Sequence, residues 1–423
     1  MARDLTPRDA HALMSELVKQ ATGQNSIAVV DSSTFVSAGE MVLATGTENV
    51  LNALGLVLGR TFMAVRPYKA PLRLINAIST RAFTTRMRKI SFYAKEAQAS
   101  GDYNTQLFTN LAMGFDNGEN PAGTPPVAQS TMSQWEQNQP VPLEMNFAGS
   151  STWEDSITVY DTQLKIAFRS EDEFLKFVSG YMTEKGNDIE SQKEAFNRMT
   201  LLNHMAGVYD LTAYGCEAVD LTAAFNAKFG TSYNRTQLLT TYFEDFLKFF
   251  VAEFKGYSDK MKNRSKKWHW SPAKTINGVS YSLLRHTPKD KQKAIMYAPF
   301  FRDAESYVMP QIFNPEYLKI ENFETVEFWQ AESGGASIDV TPAIPDADST
   351  SPTYGTQIAG TTVALDYVLG VLYDEDALMV DYQLESSEST VKEARKRYRN
   401  IWWTFSKNAI NDFTENFVLF YLG

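Results

Sequence analysis

Side chains suited to covalent or metal chemistry are few and scattered in this sequence. Its four histidines, His11, His204, His269 and His286, include no two at metal-ligand spacing. Its single cysteine, Cys216, has no Lys, Arg or His beside it in sequence to hold it as a thiolate. One cysteine also excludes an intramolecular disulfide and any multi-cysteine zinc site. Asp374-Glu375-Asp376 has the composition of a cation site, but an aspartate capping a short helix over DEDALMV explains it better. Ser333-Gly334-Gly335 lacks the frame of a phosphate-cradling loop, and no nucleophile-elbow GxSxG occurs. The run Lys260, Lys262, Arg264, Lys266 and Lys267 falls where the negative end of a helix dipole attracts cations, so it reads as a helix terminus rather than a phosphate grip. The expectation is a protein that is not an enzyme, with no catalytic residues, cofactor or metal.

The composition points the same way. The chain has 423 residues, 43% hydrophobic and 21% charged, which is ordinary for a folded protein with a large core and two or three subdomains. A formal net charge of -10 argues against holding nucleic acid by its phosphates. The N-terminus is charged and amphipathic, without the apolar stretch of a signal peptide, and no run approaches the ~20 apolar residues of a membrane span. A cytosol-like compartment and no membrane partner are expected.

The element that must organise the rest is Arg169 to Tyr214, which reads as one long helix. Ser170 and Glu173 have capping-box spacing. Phe174, Phe177, Val178, Tyr181 and Met182 form an apolar stripe that resumes at Ile189, Phe196, Met199, Leu202 and Met205. Lys185, Glu190, Lys193, Glu194 and Arg198 are placed on the solvent side. Unbroken, such a helix reaches about 60 Å, a beam lying along a sheet. Gly180 and Gly186-Asn187-Asp188 are its weak points.

Before it, Thr6-Pro7 opens a helix with Ala10, Leu13, Met14, Leu17 and Val18 on one side, and Val50 to Leu58 reads as a further small helix. Arg81 to Lys95 has strand character, with Arg86, Arg88 and Lys89 set among Met87, Ile90, Phe92 and Tyr93. Gly101 to Pro142 is a long Gly/Pro/Asn/Ser-rich loop, and Ile157 to Phe168 reads as the returning strand, so the whole is a hairpin arm. After the long helix, Asn234 caps a helix whose wide apolar face runs from Leu238 to Phe254. Asn277-Gly278 marks a two-residue hairpin. Ala294 to Phe300 and Thr325 to Trp329 read as strands, DAESYVMPQIF as the start of a helix, and Ser333 to Tyr354 as a second loop. Tyr367 to Asp374 is a buried strand. In the last segment Ile401, Trp403 and Phe405 face one way, and Trp402, Thr404 and Ser406 the other. The fold class is α+β.

In this order the parts resemble a tailed-bacteriophage major capsid protein, a fold shared with encapsulins and the herpesvirus capsid floor. The likeness is nearest to coat proteins of small short-tailed phages. It rests on Val57 to Lys69, Thr162 to Met182, Val368 to Val380 and Arg397 to Phe420. The resemblance implies an N-terminal arm (1–75), an extended β-hairpin loop (76–168), the spine helix of a peripheral domain (169–215), a mainly axial domain (216–394) and C-terminal strands returning through the peripheral domain (395–423). It implies self-assembly as pentamers and hexamers into an icosahedral shell that encloses double-stranded DNA without binding it specifically. A separate scaffolding protein, a portal and an optional cement or decoration protein are the implied partners. The place is the virion, after assembly in the bacterial host cytoplasm. Arg86, Arg88, Lys89, Asp116, Asn117 and Trp135 are the subunit-interface candidates, with Glu171 to Glu173 or Asp374 to Asp376 of a neighbour as counter-charges for the basic strand. An encapsulin shell storing an enzyme cargo, or an α+β hydrolase using acidic residues after Trp329, are the competing readings.

Overall fold

An apolar run with no polar face, Val368 to Asp374, becomes the centre of the molecule because both of its sides are covered. The structure, a computed structural model, describes residues 7–22, 29, 32–44, 72, 75–78, 86–94, 140–148, 151–167, 169, 171–272, 274–276, 279–307, 322–391, 393 and 395–423. The expectations placed on Ser170, on 50–58 and most of the rest of 45–71, on the loop after Ala94, on Asn277-Gly278 and on the end of DAESYVMPQIF lie outside those residues.

In chain order, α1 (Pro7–Thr22), α2 (Ser32–Ala44) and β1 (Asn76–Ile78) precede the paired strands β2 (Arg86–Phe92) and β3 (Pro142–Ala148). Strand β4 (Ser151–Tyr160) passes through a short helix α3 (Asp161–Ala167) into α4 (Glu171–Asp210). Next come β5 (Glu217–Asp220), α5 (Leu221–Phe229), α6 (Arg235–Leu239), α7 (Phe243–Met261), β6 (Lys274–Ile276) and β7 (Val279–Tyr281). Then follow β8 (Gln292–Tyr297), α8 (Ala298–Tyr307), β9 (Asn322–Val326), β10 (Ile338–Val340), β11 (Ala343–Pro345), β12 (Gln357–Ala359) and β13 (Val363–Leu365). The chain ends with β14 (Val368–Asp374), β15 (Leu378–Ser389), β16 (Tyr398–Asn411) and β17 (Phe417–Tyr421).

Two sheets carry the body. The five-stranded one has the order β5-β17-β14-β8-β9. Along β17, Phe417 and Leu419 pack toward α4 and the 329–365 segment, whereas Val418 and Phe420 pack toward α7 with Phe246, Phe250 and Phe254. This alternation is what a strand covered on both faces requires. Gly370 sits at a register shift in β14, where an added Cβ would lie 2.9 Å from the Ile295 carbonyl oxygen of the neighbouring strand. The four-stranded sheet has the order β1-β15-β16-β4. Ile401, Trp403 and Phe405 of β16 are buried and Trp402 is exposed, as their alternation predicts, and Phe405 stacks on Trp153 of β4 at 4.8 Å.

Helix α4 runs its 40 residues without a break through both glycine sites. Phe174, Ile189, Phe196, Leu202 and Met205 are buried as the stripe requires, but Met199 is 57% exposed. Its charged side is less solvated than expected. Lys185 bonds Asp155 of β4 at 2.9 Å, and Arg198 lies 4.0 Å over the Phe328 ring while donating to the Trp329 carbonyl at 3.1 Å. The first helices pack on α4: Met14, Leu17, Val18, Phe35 and Val42 are buried, and Phe35 meets Phe174 of α4 edge-on at 5.5 Å.

Five local expectations are corrected. The return strand of the hairpin is β3, not Ile157 to Phe168, which splits into the end of β4 and helix α3. At that split the Gln163 side chain turns back to accept from the Tyr160 amide, half of a capping box. Residues after Asp374 form a turn into β15 rather than a helix: the Asp374 carboxylate accepts from the Asp376 amide at 2.9 Å, and the Ala377 N–H donates to the Asp374 carbonyl to close the turn. The helix after Asn234 is two helices, a capped α6 with reciprocal 2.9 Å bonds between Asn234 and Gln237, and α7 beyond a break at Thr240. The expected strand at 294–300 starts and ends earlier, as β8, and α8 begins at Ala298, while the strand expected at 325–329 is β9.

Candidate functional site

None of the dispersed chemical groups converges. Among the described residues no three His, Cys, Asp or Glu side chains are placed to hold a metal ion, and no helix is long and apolar enough to cross a membrane. Cys216 is buried, and burial pushes its thiol up to about 12. His269 accepts or donates only to Lys267, Leu283 and Asn416 and is tied into the core. Lys262 and Lys289 both meet Asp259 at the end of α7, at 3.0 and 2.9 Å.

The feature with a distinctive geometry is the hairpin β2–β3. Its strands alternate strictly: Arg88, Ile90, Phe92, Pro142, Glu144 and Asn146 are exposed, whereas Ser91 and Tyr93 are buried. Ile90 and Phe92 stand 49% and 59% exposed, opposite Glu144 and Pro142, so the outer face sets apolar side chains beside an ion pair, Arg88 to Glu144 at 2.9 Å, and Asn146. Beneath β3 lies an open cleft of about 1020 Å³, lined by Leu143, Met145 and Phe147 on one side and by Phe196, Thr200 and Asn203 of α4 on the other.

The inner face is anchored at one end. Lys89 Nζ reaches Asp412 at 2.5 Å and Glu415 at 2.7 Å. Arg285 donates to Ser91 Oγ at 2.8 Å and to the Thr414 carbonyl at 2.9 Å, and pairs with Glu415 at 3.2 Å. Ala94 N–H donates to the Ser282 carbonyl at 2.9 Å. Burial disfavours the charge on Lys89, but the two carboxylates outweigh it and raise its pKa. The carboxylates move oppositely. Burial raises both, yet Lys89 and two Thr414 hydrogen bonds hold Asp412 below the ordinary range. Glu415, with a longer contact and the Asp412 charge nearby, stays above it. Asp412 is therefore the firm partner and Glu415 the shared one.

The turn that carries both carboxylates, 411–416, is also seated on the other elements. Phe413 stacks on His204 of α4 at 4.4 Å with ring planes 4° apart. An added Cβ at Gly207 would come within 2.5 Å of that ring, so the glycine is what lets the turn approach the helix. Asn416 donates to Thr287 at 3.0 Å, and Thr287 to the buried Asp374 at 2.7 Å.

Of the interface candidates, Arg88 and Lys89 find partners in their own chain, at Glu144 and at Asp412 and Glu415. Arg86 is placed in register with Ala148. Asp116, Asn117 and Trp135 lie outside the described residues. Sequence reasoning missed Asp412, Glu415 and Arg285; the signal for the two carboxylates was a polar run, Asn411 to Asn416, between two strands, and Arg285 had none.

The capsid structure of Staphylococcus phage Andhra contains a chain with a TM-score of 0.50 to this one at 9% identity, covering 84% of each. A chain in a structure of the head fiber and inner core protein gp22 of native bacteriophage P68 gives 0.48 at 9% identity, covering 82% of this chain and 83% of its own. The fold is that of tailed-phage major capsid proteins. A comparison with curated proteins finds no match. A sequence profile described as Phi29-like phage major capsid protein matches residues 151–421, well over half the chain, and the chain belongs to that family. It is a tailed-phage coat protein, a self-associating structural component of the virion.

Proposed function

We propose that this coat protein assembles as pentamers and hexamers into an icosahedral shell around double-stranded DNA, with the β2–β3 hairpin reaching over a neighbouring subunit. The observation that carries the reading is the hairpin itself: its inner face is anchored by buried charges while its outer face presents Ile90 and Phe92 to solvent. Apolar side chains of that size on a strand face are stabilised when a second copy covers them. Residues 1–75 then serve as the N-terminal arm, 76–168 as the extended loop, 169–215 as the spine, 216–394 as the mainly axial domain and 395–423 as the return. A shell protein of this kind has no catalytic step. A net charge of -10 lets packaged DNA move without sticking. A separate scaffolding protein directs assembly in the host cytoplasm, with a portal at one vertex.

Purified protein, expressed with its neighbouring genes, is expected as pentamers, hexamers or closed particles in electron micrographs and light scattering. A lone species of the 47.6 kDa chain mass at every concentration and salt overturns the reading. Deleting Asp116 to Gln129, a polar Gly/Pro-rich stretch with few apolar residues, is expected to leave the melting temperature of the unassembled subunit within a few degrees while the yield of closed particles falls severalfold. A sharp drop in melting temperature with normal particle yield per folded subunit makes that stretch internal structure.

A further inference from the structure

The hairpin is fastened along the half of β2 nearer its connecting segment and borders a cleft beneath β3. From Lys89 to Ala94 it is held by the Asp412–Glu415 turn, Arg285 and Ser282, and Met145 of β3 meets the Thr414 hydroxyl at 3.7 Å, while Leu143 to Phe147 line a cleft of about 1020 Å³. The fastening is in turn seated on α4 through Phe413 and His204, and on the central sheet through Asn416, Thr287 and Asp374. The two body elements and the hairpin therefore meet at the 411–416 turn.

We infer that the Lys89–Asp412–Glu415–Arg285 cluster is a pivot that sets the angle of the hairpin to the subunit body, and through it the curvature at which neighbouring copies join. This inference rests on the coat-protein assembly proposed above. Four charges of zero net sum suit the role. Lys89 is shared between two carboxylates at 2.5 and 2.7 Å, so it keeps one partner while the other lengthens. Arg285 behaves likewise, bonded to Ser91 on the hairpin and to Thr414 and Glu415 on the turn. Such a cluster tolerates a few degrees of rotation without leaving a buried charge unpaired, and resists more. These are positioning residues for assembly.

The test compares the wild-type chain with Lys89→Arg and with the triple variant Lys89→Met/Asp412→Asn/Glu415→Gln, which leaves no buried lysine or carboxylate unpaired at the turn. Three measurements are made: melting temperature of the unassembled subunit, hydrogen–deuterium exchange over residues 86–94, and the diameter distribution of assembled particles. The triple variant is expected to melt within about 5 °C of wild type, to exchange at least tenfold faster over 86–94, and to give particles of mixed diameter or open sheets. Lys89→Arg is expected to restore a single diameter. Unchanged exchange overturns the fastening, and faster exchange with an unchanged, uniform diameter overturns its control of curvature. A particle loss that merely tracks loss of folded subunit reduces the cluster to ordinary structure and overturns the pivot too. If wild-type protein itself forms no particles, the assembly reading fails, while the exchange arm still decides whether the cluster holds the hairpin.

Discussion

Replacing Trp329 by alanine is expected to destabilise the unassembled subunit by about 3–5 kcal/mol, enough to leave little folded protein for assembly. The side chain is 1% exposed within the core between α4 and the central sheet. Its indole N–H donates to the Val368 carbonyl at 2.8 Å, at the first residue of β14, and its backbone N–H donates to the Gly335 carbonyl at 3.0 Å. Gly335 sits at φ +54°, so the 331–337 turn is shaped to bring that carbonyl back. One residue therefore ties the long helix, through Arg198 on its carbonyl, to the turn and the central strand. Trp329→Phe keeps most of the apolar area and loses the indole hydrogen bond, so its expected cost is smaller, about 1–2 kcal/mol. Urea unfolding of the three proteins below their assembly concentration checks both values. An alanine cost under 1 kcal/mol contradicts the packing described.

What the sequence made legible was whatever local periodicity encodes. The stripe of α4 and the two-faced β16 each repeat a pattern along one element, and β14 is one unbroken apolar run; all three stand where they were expected. The misreadings are of two physical kinds. At Asp161 and at Asp374 a strand passes into a helix or a turn within one or two residues, and a single side-chain bond decides which: Gln163 to the Tyr160 amide, Asp374 to the Asp376 amide. Apolar spacing over so short a stretch does not distinguish them. The hairpin and its anchor are the other kind. Lys89 lies 323 residues from Asp412, and β2 finds its partner beyond a long polar segment, so no window of sequence holds both halves of either contact. Met199 shows the same limit: it belongs to the stripe by spacing, yet it is exposed because helix α4 there borders the open cleft. Family resemblance supplied the hairpin as an element, and only the packing supplied what holds it.

Acid is expected to unfold the subunit partly through His204. The imidazole is fully buried between Phe413 at 4.4 Å and Phe417 at 4.5 Å, and neither ring nitrogen meets a partner at hydrogen-bonding geometry. Burial lowers its pKa to about 3, even though the Asp412 charge and the nearby Asn411 amide pull it upward. The folded ring is therefore neutral where an unfolded one, with its ordinary value near 6.5, already takes a proton. Stability from this source is fully present above pH 6.5 and is lost as pH falls toward 3, by about 2 kcal/mol at pH 5 and about 3 kcal/mol at pH 4. Two neighbours titrate in the same turn but with different signatures. Asp412 is held low, so its loss comes below the ordinary carboxylate range; Glu415 is held high, so its protonation favours the folded state as the solution is acidified. The comparison of wild type with His204→Phe separates the histidine from both. Phenylalanine keeps an aromatic ring against Phe413, and its extra volume adds a cost that does not vary with pH. Measured by urea unfolding from pH 7 to pH 4, the stability difference between the two proteins is expected to shift by about 3 kcal/mol in favour of the variant. Parallel stability curves across that window overturn the account, and with it the picture of a neutral imidazole as the seat of the 411–416 turn.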